Sequence, residues 1–130
     1  MMKKAFFTGI MVFNALMISN LSMAADLGED MSILAKNYQA FNTAATTTDA
    51  LQALAQMHTA SLDAKQSTPM KLMDLPEDDP QIKAYQNAMD RLTTEIDEIT
   101  DLVKAGKLED AKQQGKVIEQ MKSENHKLFK

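Results

Sequence analysis

One segment of the chain carries a long, unbroken helical repeat. Its apolar residues follow one another at spacings of three and four: Ile82, Tyr85, Met89, Leu92, Ile96, Ile99 and Val103. This spacing is typical of a helix that packs along its whole length against other helices. Asp79 and Pro80 form the N-cap and first position of that helix, and Gly106 offers a left-handed C-terminal cap. The chain is therefore expected to fold as a helical bundle.

Two further helices are predicted before this one. The first spans about 26–42, with the apolar positions Met31, Leu34, Ala35, Tyr38 and Phe41. The second follows a cap at Thr46 or Asp49 and runs to about Gln66. We predict that its buried face consists of Leu51, Leu54, Ala55, Met57, Ser61 and Leu62, with His58 at the edge. A loop with two prolines, 69–79, then leads to the third helix.

The fourth helix starts almost at once after Gly106, which makes it an antiparallel neighbour of the third. Its three-four positions are Leu108, Ala111, Gly115, Ile118, Lys122, Asn125 and Phe129. The last turns of this face become polar, and such a local break in a hydrophobic pattern is where function is expected. The fold class is therefore all-α, an antiparallel up-down-up-down four-helix bundle.

One end of this bundle, which we call the mouth, joins the start of the first helix to the end of the last. It is predicted to collect Met31, Met57, Leu62, Tyr85, Met89 and His126. A thioether and an imidazole facing each other across an apolar slot suit haem iron, and Met/His ligation raises the reduction potential. Two plain interpretations stay open: Met31 as core filler, and His126 as an exposed residue favoured by the helix C-terminus.

The first 24 residues have the features of a secretory signal. Lys3 and Lys4 precede the mostly apolar run 5–19, and Ser22-Met23-Ala24 places small residues before a cut at Ala25. The run is shorter than the roughly 20 residues that span a membrane, and its type is bacterial. We therefore predict a cleaved signal peptide at 1–24, a single helical domain at 25–130 and a periplasmic location.

Composition excludes several classes of function. Removal of the signal takes away two lysines and no acid, which changes the net charge from −4 to −6. An acidic chain without a basic run is expected to bind neither nucleic acid nor, once the signal is removed, the membrane. The chain also contains no Cys, so it has no disulfide, no lipid attachment and no thioether-linked haem.

Other metal and catalytic chemistry is excluded by spacing. A di-iron carboxylate bundle needs Glu-x-x-His pairs, but Ser123 and Ala55 stand three residues before His126 and His58. Zinc needs three or four ligands, and the two histidines are far apart in the sequence. Neither histidine belongs to a nucleophile motif, so an enzyme is not expected. The alternative that stays open is a haem-free periplasmic bundle, a binding or stress-related protein that uses the polar end of the fourth helix.

Several short segments carry a resemblance to a known family. They are Ala25-Asp26-Leu27, Met31, Leu62-Asp63-Ala64, Thr68-Pro69 followed by Lys71-Leu72, Gly106-Lys107 and His126. In this register, and without gaps from residue 25 to the end, the chain resembles the soluble periplasmic cytochrome b562 family. The resemblance implies a periplasmic electron-transfer cytochrome with one noncovalent haem b (iron protoporphyrin IX) per chain.

The resemblance also implies the haem contacts. Met31 and His126 fall on the two axial ligand positions of the family, and Tyr85 and Met89 fall where the family places phenylalanines beside the haem. Together with Leu34 and Met57, the last two are the expected haem contacts. We expect a monomer that exchanges electrons with a redox partner protein, whose identity is unknown from the sequence.

Overall fold

The computed structural model describes residues 26–129, so the predicted signal peptide at 1–24 lies outside the described residues. The helices are α1 (Asp26–Thr43), α2 (Thr47–Gln66), α3 (Pro80–Lys104), α4 (Leu108–Gln114) and α5 (Lys116–Phe129), with a short 3₁₀ turn at Met70–Leu72. The segments α4 and α5 together form the fourth arm of the bundle. The all-α four-helix bundle is thus confirmed, and within 26–129 no helix has the length and apolar character that crossing a membrane requires.

Helix boundaries follow the capping residues predicted from the sequence. The hydroxyl of Thr46 accepts a hydrogen bond from the backbone N–H of Asp49 at 3.1 Å. The carboxylate of Asp79 accepts one from the N–H of Gln81 at 2.9 Å, with Pro80 at the first position of α3. Such caps satisfy backbone donors that have no partner inside the helix. Gly106 closes α3 with a φ of 81°, a conformation that glycine adopts without a steric penalty.

The core lies along α3, and all seven residues of its predicted seam are buried. The predicted buried face of α2 was partly wrong, because Leu62 is 45% exposed and Ala55 is also exposed. The buried face of α2 consists instead of Ala50, Ala53, Leu54, Met57, Ala60, Ser61 and Ala64. Four alanines on this face keep the helix close to its neighbours. Leu62 lies outside this face and is turned towards solvent.

The fourth arm is broken at Gly115 and is not the single helix predicted. The N–H of Ile118 donates to the carbonyl of Gly115 at 2.9 Å, which is a tighter, three-residue spacing. A Cβ at position 115 would lie 3.0 Å from Cε2 of Phe41. Nearby, Nζ of Lys112 donates to the carbonyl of Ala44 at 2.7 Å. The end of α1 is therefore held against the junction of α4 and α5.

This contact sets the register between α1 and the fourth arm. Met31 precedes Phe41 by ten residues, and His126 follows Gly115 by eleven. With a rise of 1.5 Å per residue, these distances are about 15 Å and about 17 Å along the two helix axes. Because the two elements run antiparallel, Met31 and His126 lie at nearly the same level of the bundle.

Candidate functional site

Tyr85, near the start of α3, lies where four helix ends meet. Its side chain is 3% exposed, and its hydroxyl donates a hydrogen bond to the carbonyl of Ala64 at the end of α2. Its ring packs edge-on against Phe129 near the end of α5, with centroids 5.4 Å apart and planes at 82°. Asp30, close to the start of α1, acts electrostatically on the same side chain. The predicted mouth of the bundle is therefore present around Tyr85.

The two candidate ligands differ in exposure. Met31 is half-buried in the second turn of α1, whereas His126 is exposed on α5, one turn before Phe129. Of the apolar side chains predicted to line the mouth, Met57 and Met89 are buried, with exposed fractions of 1% and 2%, but Leu62 is 45% exposed. Leu34, an expected haem contact, is 8% exposed. Met31 therefore packs against the core that contains Leu34, Met57 and Met89, whereas the imidazole of His126 faces solvent.

The donor set fits a haem better than a free metal ion. Within residues 26–129 no group of three or more His, Cys, Asp or Glu side chains comes together as a metal site. Haem iron needs only axial ligands from the protein, and a thioether with an imidazole is one of the known pairs. The buried Leu34, Met57 and Met89 match the apolar macrocycle that such a group would bring.

Both burial and a neighbouring carboxylate affect the ionisation of Tyr85 at the mouth. Burial raises the pKa of Tyr85 well above its ordinary value, and the negative charge of Asp30 raises it further. Asp30 is itself only 4% exposed. From the sequence, Asp30 was expected only to stabilise the N-terminus of α1 electrostatically. Its spacing of four residues from buried Leu34 is the signal that places it on the buried face.

We expect Tyr85 to make the haem-free protein less stable in alkali. The unfolded chain ionises tyrosine near pH 10, while the raised pKa keeps Tyr85 neutral in the folded state. Its contribution is thus fully present below about pH 10 and is lost as the pH rises towards the folded value, by about 1.4 kcal/mol per pH unit. Urea unfolding at a series of pH values measures this slope.

The matched variants are Tyr85→Phe and Tyr38→Phe. The first should lack the alkaline loss of stability, and the second should keep it, because Tyr38 is only partly buried. Tyr85→Phe should also cost about 1 kcal/mol at neutral pH through the lost hydrogen bond to Ala64. Identical alkaline slopes in the parent and both variants would contradict the assignment.

The second histidine lies elsewhere. Nδ1 of His58 on α2 is 2.9 Å from a carboxylate oxygen of Asp97, which is twelve residues along α3 from Tyr85. The side chain of His58 is 39% exposed, as its predicted edge position requires. It therefore belongs to a surface pair between α2 and α3. The sequence predicted Phe129 only as an apolar position of the fourth helix. Its ring contact with Tyr85 was not predicted.

Comparison with known proteins identifies the bundle. The family model described as cytochrome b562 matches residues 26–130. The chain belongs to the cytochrome b562 family. A curated relative from Yersinia pestis, probable soluble cytochrome b562 2, is 35% identical over 112 residues, which cover 86% of this chain and 88% of the relative. Probable soluble cytochrome b562 1 from the same organism is 33% identical over 105 residues, or 80% and 83% of the two chains.

Membership of the cytochrome b562 family decides between the two functions left open by the sequence. The family consists of b-type haem-binding electron-transfer cytochromes, which are electron carriers rather than typical enzymes. The resemblance seen in the sequence is confirmed over all the described residues, 26–129. A haem-free bundle that serves only as a binding or stress-related protein is therefore not favoured.

Proposed function

We propose that this chain is a periplasmic electron-transfer cytochrome that holds one noncovalent haem b between Met31 and His126. One observation supports the ligand pair most strongly. Tyr85 brings together the starts of α1 and α3 and the ends of α2 and α5. The helix that carries Met31 and the helix that carries His126 thus open onto the same mouth. In this proposal, a flat group bound there would lie between the thioether of Met31 and the imidazole of His126.

In this proposal, two side chains bond to the iron, and three apolar side chains exclude water from the site. His126 provides an imidazole nitrogen as the stronger ligand, and Met31 provides a thioether, which favours the reduced state of iron. Leu34, Met57 and Met89 keep water from the inner side of the site. When bound, the haem supplies a one-electron couple between ferric and ferrous iron. Because His126 is on the exposed side, the site opens towards solvent, as electron exchange with a partner protein requires.

The composition supports a noncovalent haem, and the signal-like segment 1–24 supports the location. A covalently attached haem would need a Cys-x-x-Cys-His motif, and the chain has no Cys. The haem is therefore exchangeable, with one site per chain formed by the single Met31 and His126 pair. We further propose export through the signal at 1–24, and a monomer that passes electrons to a redox partner protein without binding nucleic acid or membrane.

The visible absorption spectrum tests the proposal. The protein isolated from a periplasmic extract should be red, with a Soret band, and its mass should correspond to a chain that begins at Ala25. Addition of haem to the haem-free protein should saturate at one equivalent, and acidified acetone should extract all the haem. A colourless protein that gains no Soret band after haem addition would contradict the proposed function.

A further inference from the structure

The second half of α5 is held to the bundle by few side chains. The buried residue of α5 is Ile118, which lies in its first turn. Beyond Ile118, the side chains of Met121, Asn125 and Phe129 are partly buried, and all the others up to Phe129 are exposed. The two apolar residues among these three, Met121 and Phe129, pack against the hydrophobic core. His126 therefore lies on a sparsely packed stretch of helix.

Phe129 is placed to fix this stretch. It follows His126 by three residues, and residues three apart are neighbours on the surface of a helix. Its ring meets the ring of Tyr85 on α3 edge-on, with centroids 5.4 Å apart and planes at 82°, a geometry that aromatic pairs prefer. Tyr85 is itself fixed, because it is 3% exposed and its hydroxyl donates to the carbonyl of Ala64 on α2.

We propose that Phe129 is a positioning residue that holds the imidazole of His126 in place for the haem iron. This inference rests on the proposed function of Met31 and His126. The ends of helices fray where few contacts hold them, whereas a metal ligand must lie within about 0.5 Å of its productive position. The contact with Tyr85 restricts the end of α5 before haem binds, so less ordering has to accompany binding.

Phe129→Ala is expected to weaken haem binding at least about tenfold. Side chains that orient a metal ligand typically contribute about 10–100-fold to its affinity. Leu128→Ala is the matched control, because Leu128 is the neighbouring apolar residue but is 59% exposed. It should change the affinity by less than about twofold, as surface substitutions usually do. Titration of the haem-free protein with haem, followed at the Soret band, measures both affinities.

Phe129→Tyr tests whether the aromatic ring is responsible. It keeps the edge contact with Tyr85, and its added hydroxyl can reach solvent because the side chain at position 129 is only partly buried. It should bind haem within about twofold of the parent. With haem at saturation, Phe129→Ala should show a high-spin fraction, because its imidazole no longer stays on the iron. Phe129→Tyr and Leu128→Ala should keep the low-spin spectrum of the parent.

A measurement on the haem-free protein tests the positioning itself. Hydrogen–deuterium exchange, followed by NMR, reports how readily each backbone amide opens. In Phe129→Ala, the amides of residues 122–128 should exchange about tenfold faster than in the parent, because the aromatic pair and its buried area are lost. Leu128→Ala and Phe129→Tyr should exchange as the parent does. Should Phe129→Ala not fold, Phe129→Leu replaces it, since leucine keeps an apolar side chain without the ring.

The outcomes distinguish this inference from the proposed function. Unchanged haem affinity in Phe129→Ala, or an equal loss in Leu128→Ala or Phe129→Tyr, would overturn the role of Phe129. Weaker haem binding with unchanged amide exchange at 122–128 would also overturn it, since the ring would then contact the haem directly. Failure of the unsubstituted protein to bind haem would overturn the proposed function and this inference together.

Discussion

The His126→Ala variant is expected to bind haem at least about a hundredfold more weakly than the unsubstituted protein. Loss of groups that merely support a metal ligand costs 10–100-fold in affinity, so loss of the stronger ligand itself should cost at least the upper value. The bundle should stay folded, because His126 is exposed and contributes little to the core. Titration of the haem-free protein with haem, followed at the Soret band, measures the affinity.

His58→Ala is the matched control for this experiment. It removes the other histidine of the chain, which pairs with Asp97 on the surface between α2 and α3. The control should bind haem as the parent does, with an unchanged spectrum in the reduced state. The ligand assignment would be wrong if the two variants lost affinity equally, or if only the His58 variant lost it.

The Met31→Ala variant is expected to keep its haem but to lose the sixth ligand of the iron. Since the imidazole of His126 forms the stronger bond, the haem should stay bound with a high-spin spectrum and an open coordination position. Added imidazole should restore a low-spin spectrum. The reduction potential should fall, because the thioether no longer favours ferrous iron. Absorption spectra with and without imidazole, together with a potentiometric titration, test this.

Met70→Ala serves as the control for loss of a methionine. Met70 lies in the 3₁₀ turn and is 87% exposed, so its thioether is not part of the mouth. The control should keep the low-spin spectrum and the potential of the parent. A low-spin spectrum in Met31→Ala without added imidazole would mean that another side chain ligates the iron.

The fold was predictable where large apolar residues carry the pattern. Five of the seven seam residues of α3 are isoleucine, leucine or valine, whose burial is strongly favourable, and every predicted position of the seam is buried. The face of α2 was less predictable because alanine is small enough to lie on either side of a helix. Ala53 and Ala60 lie inside, whereas Ala55 and Leu62 face solvent.

Two features of the fold, the break at Gly115 and the burial of Asp30, depend on packing between helices, which a local sequence pattern does not predict. The fourth arm breaks at Gly115, where Phe41, more than seventy positions earlier in the chain, lies so close that a Cβ would be only 3.0 Å from its ring. The burial of Asp30 depends on how α1 is rotated against α3 and the fourth arm. Periodicity alone favoured Met31 as the inward residue at this level, yet Asp30 is buried and Met31 is half-buried.

The meeting of the helix ends was predictable from the number of helices alone. In an antiparallel bundle of four helices, the first and last ends must share one face, and the contacts of Tyr85 lie at that face. The different exposure of Met31 and His126 was not predictable, because it depends on side-chain packing at the mouth. The haem ligands themselves stay a prediction of the sequence and of its family resemblance.

A crystal structure of the haem-loaded protein tests the central claim most directly. The account predicts one haem in the mouth, without a covalent bond to the chain, with its iron bonded to Sδ of Met31 on one side and to an imidazole nitrogen of His126 on the other. A haem held by His58, by any other axial side chain, or between two copies of the chain would contradict it.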